Sequence, residues 1–222
     1  MKKIIYGILL FLSFILNAQK LPKGFVYLKE IAPSIKTELR YFSHQNFIGK
    51  PIAGYERDCL IITKETAVSL KRIQQELLKK EWSLKIFDGY RPQEAVAHFV
   101  AWAKMLNDTL MKSEYYPKVS KKNLFKSGYI ASKSGHSRGS TVDVTIIDLK
   151  TATPLDMGSA YDFFGIESHP RYQNISNKQK KNRMQLRKLM MSHGFKPYKN
   201  EWWHFTLKKE PFPNTYFDFA VK

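Results

Sequence analysis

Ser134-Gly135-His136-Ser137-Arg138-Gly139-Ser140-Thr141-Val142-Asp143-Val144-Thr145-Ile146-Ile147 falls into two parts with different backbone demands. In the first, two glycines bracket His136, so the backbone can bend closely around a bound group. The second is β-branched and alternating, which predicts a strand over 141–147. Val142, Val144 and Ile146 would share one face, leaving Asp143 and Thr145 on the other. One face of this strand calls for apolar cover, and the other carries chemistry. Far downstream, Glu201-Trp202-Trp203-His204 supplies a second histidine and a second carboxylate. Residues three apart lie on opposite faces of a strand, while Pro197 and two tryptophans argue against a helix. Glu201 is therefore expected in a turn and His204 on the strand that follows. His136, His204 and Asp143 are the ligand types that hold a zinc ion with its fourth position left to water. A further carboxylate such as Glu201 could then act as the base.

Working outward, Thr63 to Lys80 reads as a helix with Thr63 as N-cap and an apolar stripe of Ala67, Leu70, Ile73 and Leu77. Leu84 and Ile86 alternate with Lys85, giving a strand that ends at Phe87-Asp88-Gly89-Tyr90. Pro92 suits the first turn of a second helix, running to about Asn107 with a stripe of Ala95, Phe99, Trp102 and Leu106. Arg91 thus sits at a strand-to-helix junction. Ser176 and Gln179 form a capping box opening a third helix, which Gly194 ends. Its apolar side is expected to be Met184, Leu186, Leu189 and Met190, with the intervening Lys and Arg residues solvated. A short strand is expected near Glu38–Tyr41 and a final one over about Trp202–Leu207. The segment 42–55 is rich in turn formers, and its aromatics are candidates to line a pocket. The fold class expected is α+β: one domain, with a small, mostly antiparallel sheet carrying the site and about three helices flanking it.

At 222 residues, with 43% hydrophobic and 14% aromatic content, the chain can bury one sizeable core. Residues 1–18 have the layout of a signal peptide: Lys2 and Lys3, an apolar run from Ile4 to Leu16, then Asn17-Ala18-Gln19 for cleavage. This implies an exported, periplasmic protein over 19–222, without a membrane span once the leader is removed, an uncleaved anchor being the less favoured alternative. Cys59 is the one cysteine, so no intramolecular disulfide can form; its apolar surroundings in Asp58-Cys59-Leu60-Ile61-Ile62 read as core packing. Formal charge is +18, and removal of Lys2 and Lys3 leaves +16. An anionic cell-wall polymer or membrane surface is a candidate partner on that balance. Nucleic acid is not expected, given the leader and the lack of finger spacing or a Gly-rich RNA motif.

Six histidines are present, and four lack the setting of a ligand. His98 falls within a helix, His193 at a helix end, and His44 and His169 in loops without partner spacing. The pattern Ser134-x-His136-x-x-Gly139-x-x-x-Asp143 with Glu201-x-Trp203-His204 closely resembles the zinc-binding signature of the D-alanyl-D-alanine dipeptidases. These are grouped with metallopeptidases that include D,D-carboxypeptidases. The resemblance extends to Asp88-Gly89-Tyr90-Arg91-Pro92, to Asp156-Met157-Gly158 followed by Asp162, and to Asn46-Phe47-x-Gly49 with Gly54-Tyr55. It covers the chain from about Leu28 to Leu207; Thr141, where a small residue is common in the wider group, is a mild departure.

The resemblance implies that His136, Asp143 and His204 bind one zinc ion and that Glu201 is the catalytic base. It implies that Arg91 stabilises the transition state and that Ser134 and Asp162 contact substrate. The expected activity is hydrolysis of D-alanyl-D-alanine in cell-wall precursor or turnover metabolism, with a small dipeptide as substrate. Alternatives are a D,D-carboxypeptidase or endopeptidase acting on peptidoglycan stem peptides, and a zinc-stabilised cell-wall binding module. The presence of both Glu201 and Arg91 speaks against the last, because a purely structural site needs neither.

Overall fold

In the computed structural model, which describes residues 20–222, elements follow in the order β1 (Phe25–Tyr27), α1 (Leu28–Ile31), β2 (Lys36–Thr37), β3 (Ile61–Thr63), α2 (Lys64–Leu78), β4 (Trp82–Asp88), α3 (Gln93–Lys104) and α4 (Lys112–Tyr115). Then come β5 (Thr141–Asp148), β6 (Thr153–Pro154), α5 (Asn177–Ser192), β7 (Phe195–Pro197) and β8 (His204–Leu207). The leader read at residues 1–18 lies outside the described residues. The main sheet has the order β2-β4-β5-β8-β7, with β6 paired to β5, while β1 and β3 form a separate antiparallel pair. Within the main sheet only β2 against β4 is parallel. This is the expected α+β architecture, with α2, α3 and α5 as its long helices.

β5 is central because both its faces are covered: Thr141 to Ile147 are all buried. Val142, Val144 and Ile146 join Leu84 and Ile86 of β4 and Ala67, Leu70, Ile73 and Leu77 of α2 in one apolar cluster. Each of these valine, leucine and isoleucine side chains contributes about 1.5–3 kcal/mol on burial. Gln74 of α2 ties helix to sheet, accepting from the Leu84 N–H at 2.8 Å and donating to Ser83 Oγ at 2.9 Å. The capping box of α5 is complete: the Gln179 N–H donates to Ser176 Oγ and the Ser176 N–H to Gln179 Oε1.

Several local expectations are corrected. Instead of a strand at Glu38–Tyr41, β2 lies at Lys36–Thr37 and Arg40–Phe42 is a 3-10 turn. Pairing with β4 ends where the Glu38 N–H donates to the Ile86 carbonyl, after which Ser43 Oγ takes up the Arg40 carbonyl and closes the turn. Helix α3 stops at Lys104, leaving Leu106 outside it and 54% exposed. The strand at 202–207 begins only at His204. On α5 the buried face runs through Asn182, Arg183, Leu186, Leu189 and Met190. At 3.6 residues per turn Met184 points away from that face and is 37% exposed, while Arg183, expected in solvent, is inside. Cys59 is only partly buried, packing on the edge of the core just before β3. Among the described residues no helix is long and apolar enough to cross a membrane.

Candidate metal centre and substrate cavity

Strand register assembles the site. Asp143 of β5 lies directly opposite His204 of β8, so the two share one face of the sheet. On the other side of β5, the pairing with β4 shifts by one residue between Ile86 and Asp88, which puts Asp88 opposite Asp143. This bulge turns Asp88 onto the same face. The 3-10 turn Gly135–Arg138 then swings His136 over that row. Ser134 caps the turn by accepting the His136 N–H, and Gly139 ends it in the left-handed region at φ 78°.

The three side chains that can hold a metal ion converge closely. His136 Nε2 is 3.3 Å from Asp143 Oδ1, His204 Nδ1 is 3.1 Å from the same oxygen, and the two nitrogens are 3.4 Å apart. Three donors each about 2.0–2.2 Å from a tetrahedral ion stand about 3.3–3.6 Å from one another, so the spacing fits one ion. Asp143 Oδ1 is buried without a hydrogen-bond partner, an arrangement that is costly unless a cation occupies its lone pair. Nδ1 of His136 faces the Gly89 carbonyl at 2.7 Å and donates to it, which leaves the Nε2 lone pair free for a metal. Gly89 itself is packed too tightly for a side chain: a Cβ there would stand 2.7 Å from Ile62 Cγ2 and 2.9 Å from the Ile61 carbonyl oxygen. The other Asp143 oxygen accepts from Tyr161 Oη at 3.2 Å. Burial pushes the Asp143 carboxyl up, but the flanking His136 and His204 hold it well below the usual carboxylate range.

Glu201 sits in the turn before β8, with Oε2 3.4 Å from His204 Nδ1. Burial pushes its pKa up to about 7, against the opposing pull of His204. Arg91 is held from below by Asp88, to which Nη2 and Nε donate at 2.8 and 2.9 Å. Asp88 also accepts from Tyr55 Oη at 2.7 Å. The guanidinium stands 5.1 Å from both the Tyr41 and Phe99 ring centres and 3.6 Å from Asp143 Oδ2. Asp162 is buried in a left-handed conformation (φ 61°) and accepts from Tyr41 Oη at 2.9 Å. Burial, with Asp143 adding to it, pushes its carboxyl well above the usual range.

Arg91, Ser134, His136, Asp143, Asp162, Glu201 and His204 all line one cavity of about 240 Å³. Every site residue expected from the sequence is therefore brought together. Pockets for drug-sized ligands run to about 300–1,000 Å³, so this one suits a smaller molecule. Its apolar wall includes Phe47, Phe99 and Phe164, which bears out the expectation that aromatics of the 42–55 loop reach a pocket. The sequence reading did not assign roles to Asp88, Tyr41 or Tyr161. Asp88 had a signal, lying three residues before Arg91 in a quoted block; the two tyrosines had none, because only tertiary contacts bring them in.

Residues 22–222 match the peptidase family M15 model described as D-ala-D-ala dipeptidase. The D-alanyl-D-alanine dipeptidase of Enterococcus faecalis is 43% identical over 198 residues, covering 89% of this chain and 98% of that one. The Enterococcus faecium protein of that name is 41% identical, covering 90% and 98%. The one from Escherichia coli is 30% identical, covering 82% and 83%. The chain belongs to the D-ala-D-ala dipeptidase family of M15 metallopeptidases.

Proposed function

We propose that this protein hydrolyses D-alanyl-D-alanine to two molecules of D-alanine, using one zinc ion held by His136, Asp143 and His204. The observation that carries the reading is the meeting of three metal-binding atoms, 3.1–3.4 Å apart, with the Glu201 carboxylate on the wall of a cavity of about 240 Å³. The names of relatives up to 43% identical support the same substrate. When bound, zinc supplies Lewis-acid activation of water and of the scissile carbonyl.

The protein's own groups do the rest. Glu201, on the cavity wall with Oε2 3.4 Å from His204 Nδ1, is poised to take a proton from the attacking water and to deliver it to the departing amine. Arg91, kept in place by Asp88, presents its guanidinium to the oxyanion that develops. Asp162 sits in the buried wall and binds the substrate ammonium, a cation that restores its ionised form. Ser134 contributes a hydroxyl at the rim beside His136. A binding site for a free ammonium favours dipeptides, because a stem peptide has no such group at the residue before the scissile bond. The charged and apolar pattern of residues 1–18 supports export to the periplasm, where turnover of wall material would supply the dipeptide.

The test is to incubate zinc-loaded protein separately with D-alanyl-D-alanine and with stem pentapeptide, measuring released D-alanine. Release from the dipeptide is expected. Release from pentapeptide alone would make the protein a D,D-carboxypeptidase, and release from neither would leave a binding module.

A further inference from the structure

Arg183 is the largest departure from the expected solvated face of α5. Its side chain is fully buried, 1% exposed, and its contacts are neutral oxygens of one loop. Nε donates to the Met157 carbonyl, Nη1 to the His169 carbonyl at 2.7 Å, and Nη2 to the Glu167 carbonyl at 2.7 Å and Ser159 Oγ at 3.4 Å. Among the described residues no carboxylate hydrogen-bonds it, and burial pushes its pKa down to about 10 against the opposing charge of Asp156. A buried guanidinium without a bonded carboxylate is costly, and its planar fork is suited to holding several acceptors at once.

The acceptors bracket the substrate-site residue. Met157 and Ser159 precede Asp162, and Glu167 and His169 follow it. The segment closes on itself as an Ω-loop, with Ser159 Oγ 3.1 Å from Ser168 Oγ and Ser168 Oγ donating to the Phe163 carbonyl at 2.6 Å. Asp162 at its tip has φ 61°, a conformation that a non-glycine residue keeps only when its surroundings over-determine it. The same neck grips the segment of the base. The Trp202 N–H donates to the Ser168 carbonyl at 3.0 Å, and Trp202 Nε1 donates to Ser159 Oγ at 3.0 Å. Trp202 immediately follows Glu201.

We infer that Arg183 is a positioning residue: by gathering the carbonyls at the neck of the 157–169 loop, it holds Asp162 at the cavity and the Glu201 turn against the same neck. The inference rests on the dipeptidase reading for its substrate, while its structural arm does not. The neck residues themselves bond none of the metal-binding side chains, and the loop reaches that set through Tyr161 Oη, which donates to Asp143 Oδ2 at 3.2 Å, so disturbing the neck should weaken substrate binding more than metal binding.

The experiment compares zinc-loaded wild type with Arg183→Lys and Arg183→Met, and with Ser159→Ala and Trp202→Phe, which loosen the neck without altering Arg183. Expected results are a rise of at least about tenfold in KM for D-alanyl-D-alanine in the Arg183 variants, as for a displaced positioning group. Smaller rises are expected in the other two, with zinc affinity changing less than KM in all four. Amide exchange should accelerate across 157–169 and at Trp202 while β5 and β8 keep wild-type protection. Unchanged KM with a lowered Tm would overturn the inference and leave Arg183 a stabilising residue alone. If the Arg183 variants do not fold, unchanged KM and exchange in Ser159→Ala and Trp202→Phe overturn it equally. Wild type that fails to cleave the dipeptide would count against the proposed function, and the exchange result would then decide the Arg183 assignment by itself.

Discussion

Asp88 offers a sharp test of how the site is held. Its side chain is fully buried, and one oxygen takes two Arg91 donors at 2.8 and 2.9 Å while the other takes Tyr55 Oη at 2.7 Å. Asp88→Asn keeps the shape and, with its amide turned, much of the hydrogen bonding. What it removes is the hydrogen-bonded counter-charge of an arginine only 12% exposed, leaving Asp143 Oδ2 at 3.6 Å as the other carboxylate near it. Removing one partner of a buried ion pair costs about 3–5 kcal/mol, because the remaining charge stays desolvated. For a chain of this size each kcal/mol lowers Tm by about 2–4 °C, so the expected fall is about 6–20 °C. Thermal and urea unfolding of wild type, Asp88→Asn, Arg91→Met and the double variant measure the two quantities. The double variant should lose less than the sum of the single ones, since Arg91→Met removes the stranded charge. Burial pushes the Asp88 carboxyl up and Arg91 opposes it. An Asn variant within about 1 kcal/mol of wild type would show that Asp88 is held protonated, and the ion-pair argument would fail.

Three further outcomes are expected. Glu201→Gln should keep its zinc, measured by metal analysis, and lose about 100- to 10,000-fold in dipeptide turnover, as removal of a general base does; retained activity would exclude Glu201 as the base. Chelation should abolish activity and lower Tm, and zinc at about 100 times its dissociation constant should restore about 2.7 kcal/mol of stability; a Tm indifferent to both would argue against a metal centre. Gly139→Ala should cost more than about 1 kcal/mol in denaturant unfolding, since φ is 78° and the new Cβ would stand 2.3 Å from Phe25 Cε1; wild-type stability would mean that the His136 turn has another conformation.

Much of this protein was legible in local pattern. The alternation after Gly139 specified a strand with an apolar face, and the apolar spacing of α2 specified its buried stripe, because period alone decides which side chains share a face. His136, Asp143, Glu201 and His204 could be singled out because each lies in a short block whose residue types carry the chemistry, whereas Ser134 and Asp162 came only from the family resemblance. Pattern failed where a segment's environment is made by distant chain. Arg183 looked solvated because a guanidinium inside an apolar helix face needs acceptors, and those come from carbonyls of the 157–169 loop. Met184 and Leu106 were misplaced for a related reason: periodicity marks a face but not where the helix ends or how far the covered stripe extends.

The sequence by itself determined which groups were available: two imidazoles, a carboxylate, a base and an arginine, with strands and helices to carry them. The tertiary structure alone decided their geometry. A one-residue bulge in β4 put Asp88 under Arg91, and the register of β5 with β8 set His204 beside Asp143. Tyr41, from more than a hundred residues away, was brought onto Asp162. The reason is physical. Side-chain period is local, but register, bulges and the burial that shifts a carboxyl's pKa arise only when strands and loops remote in the chain are packed together.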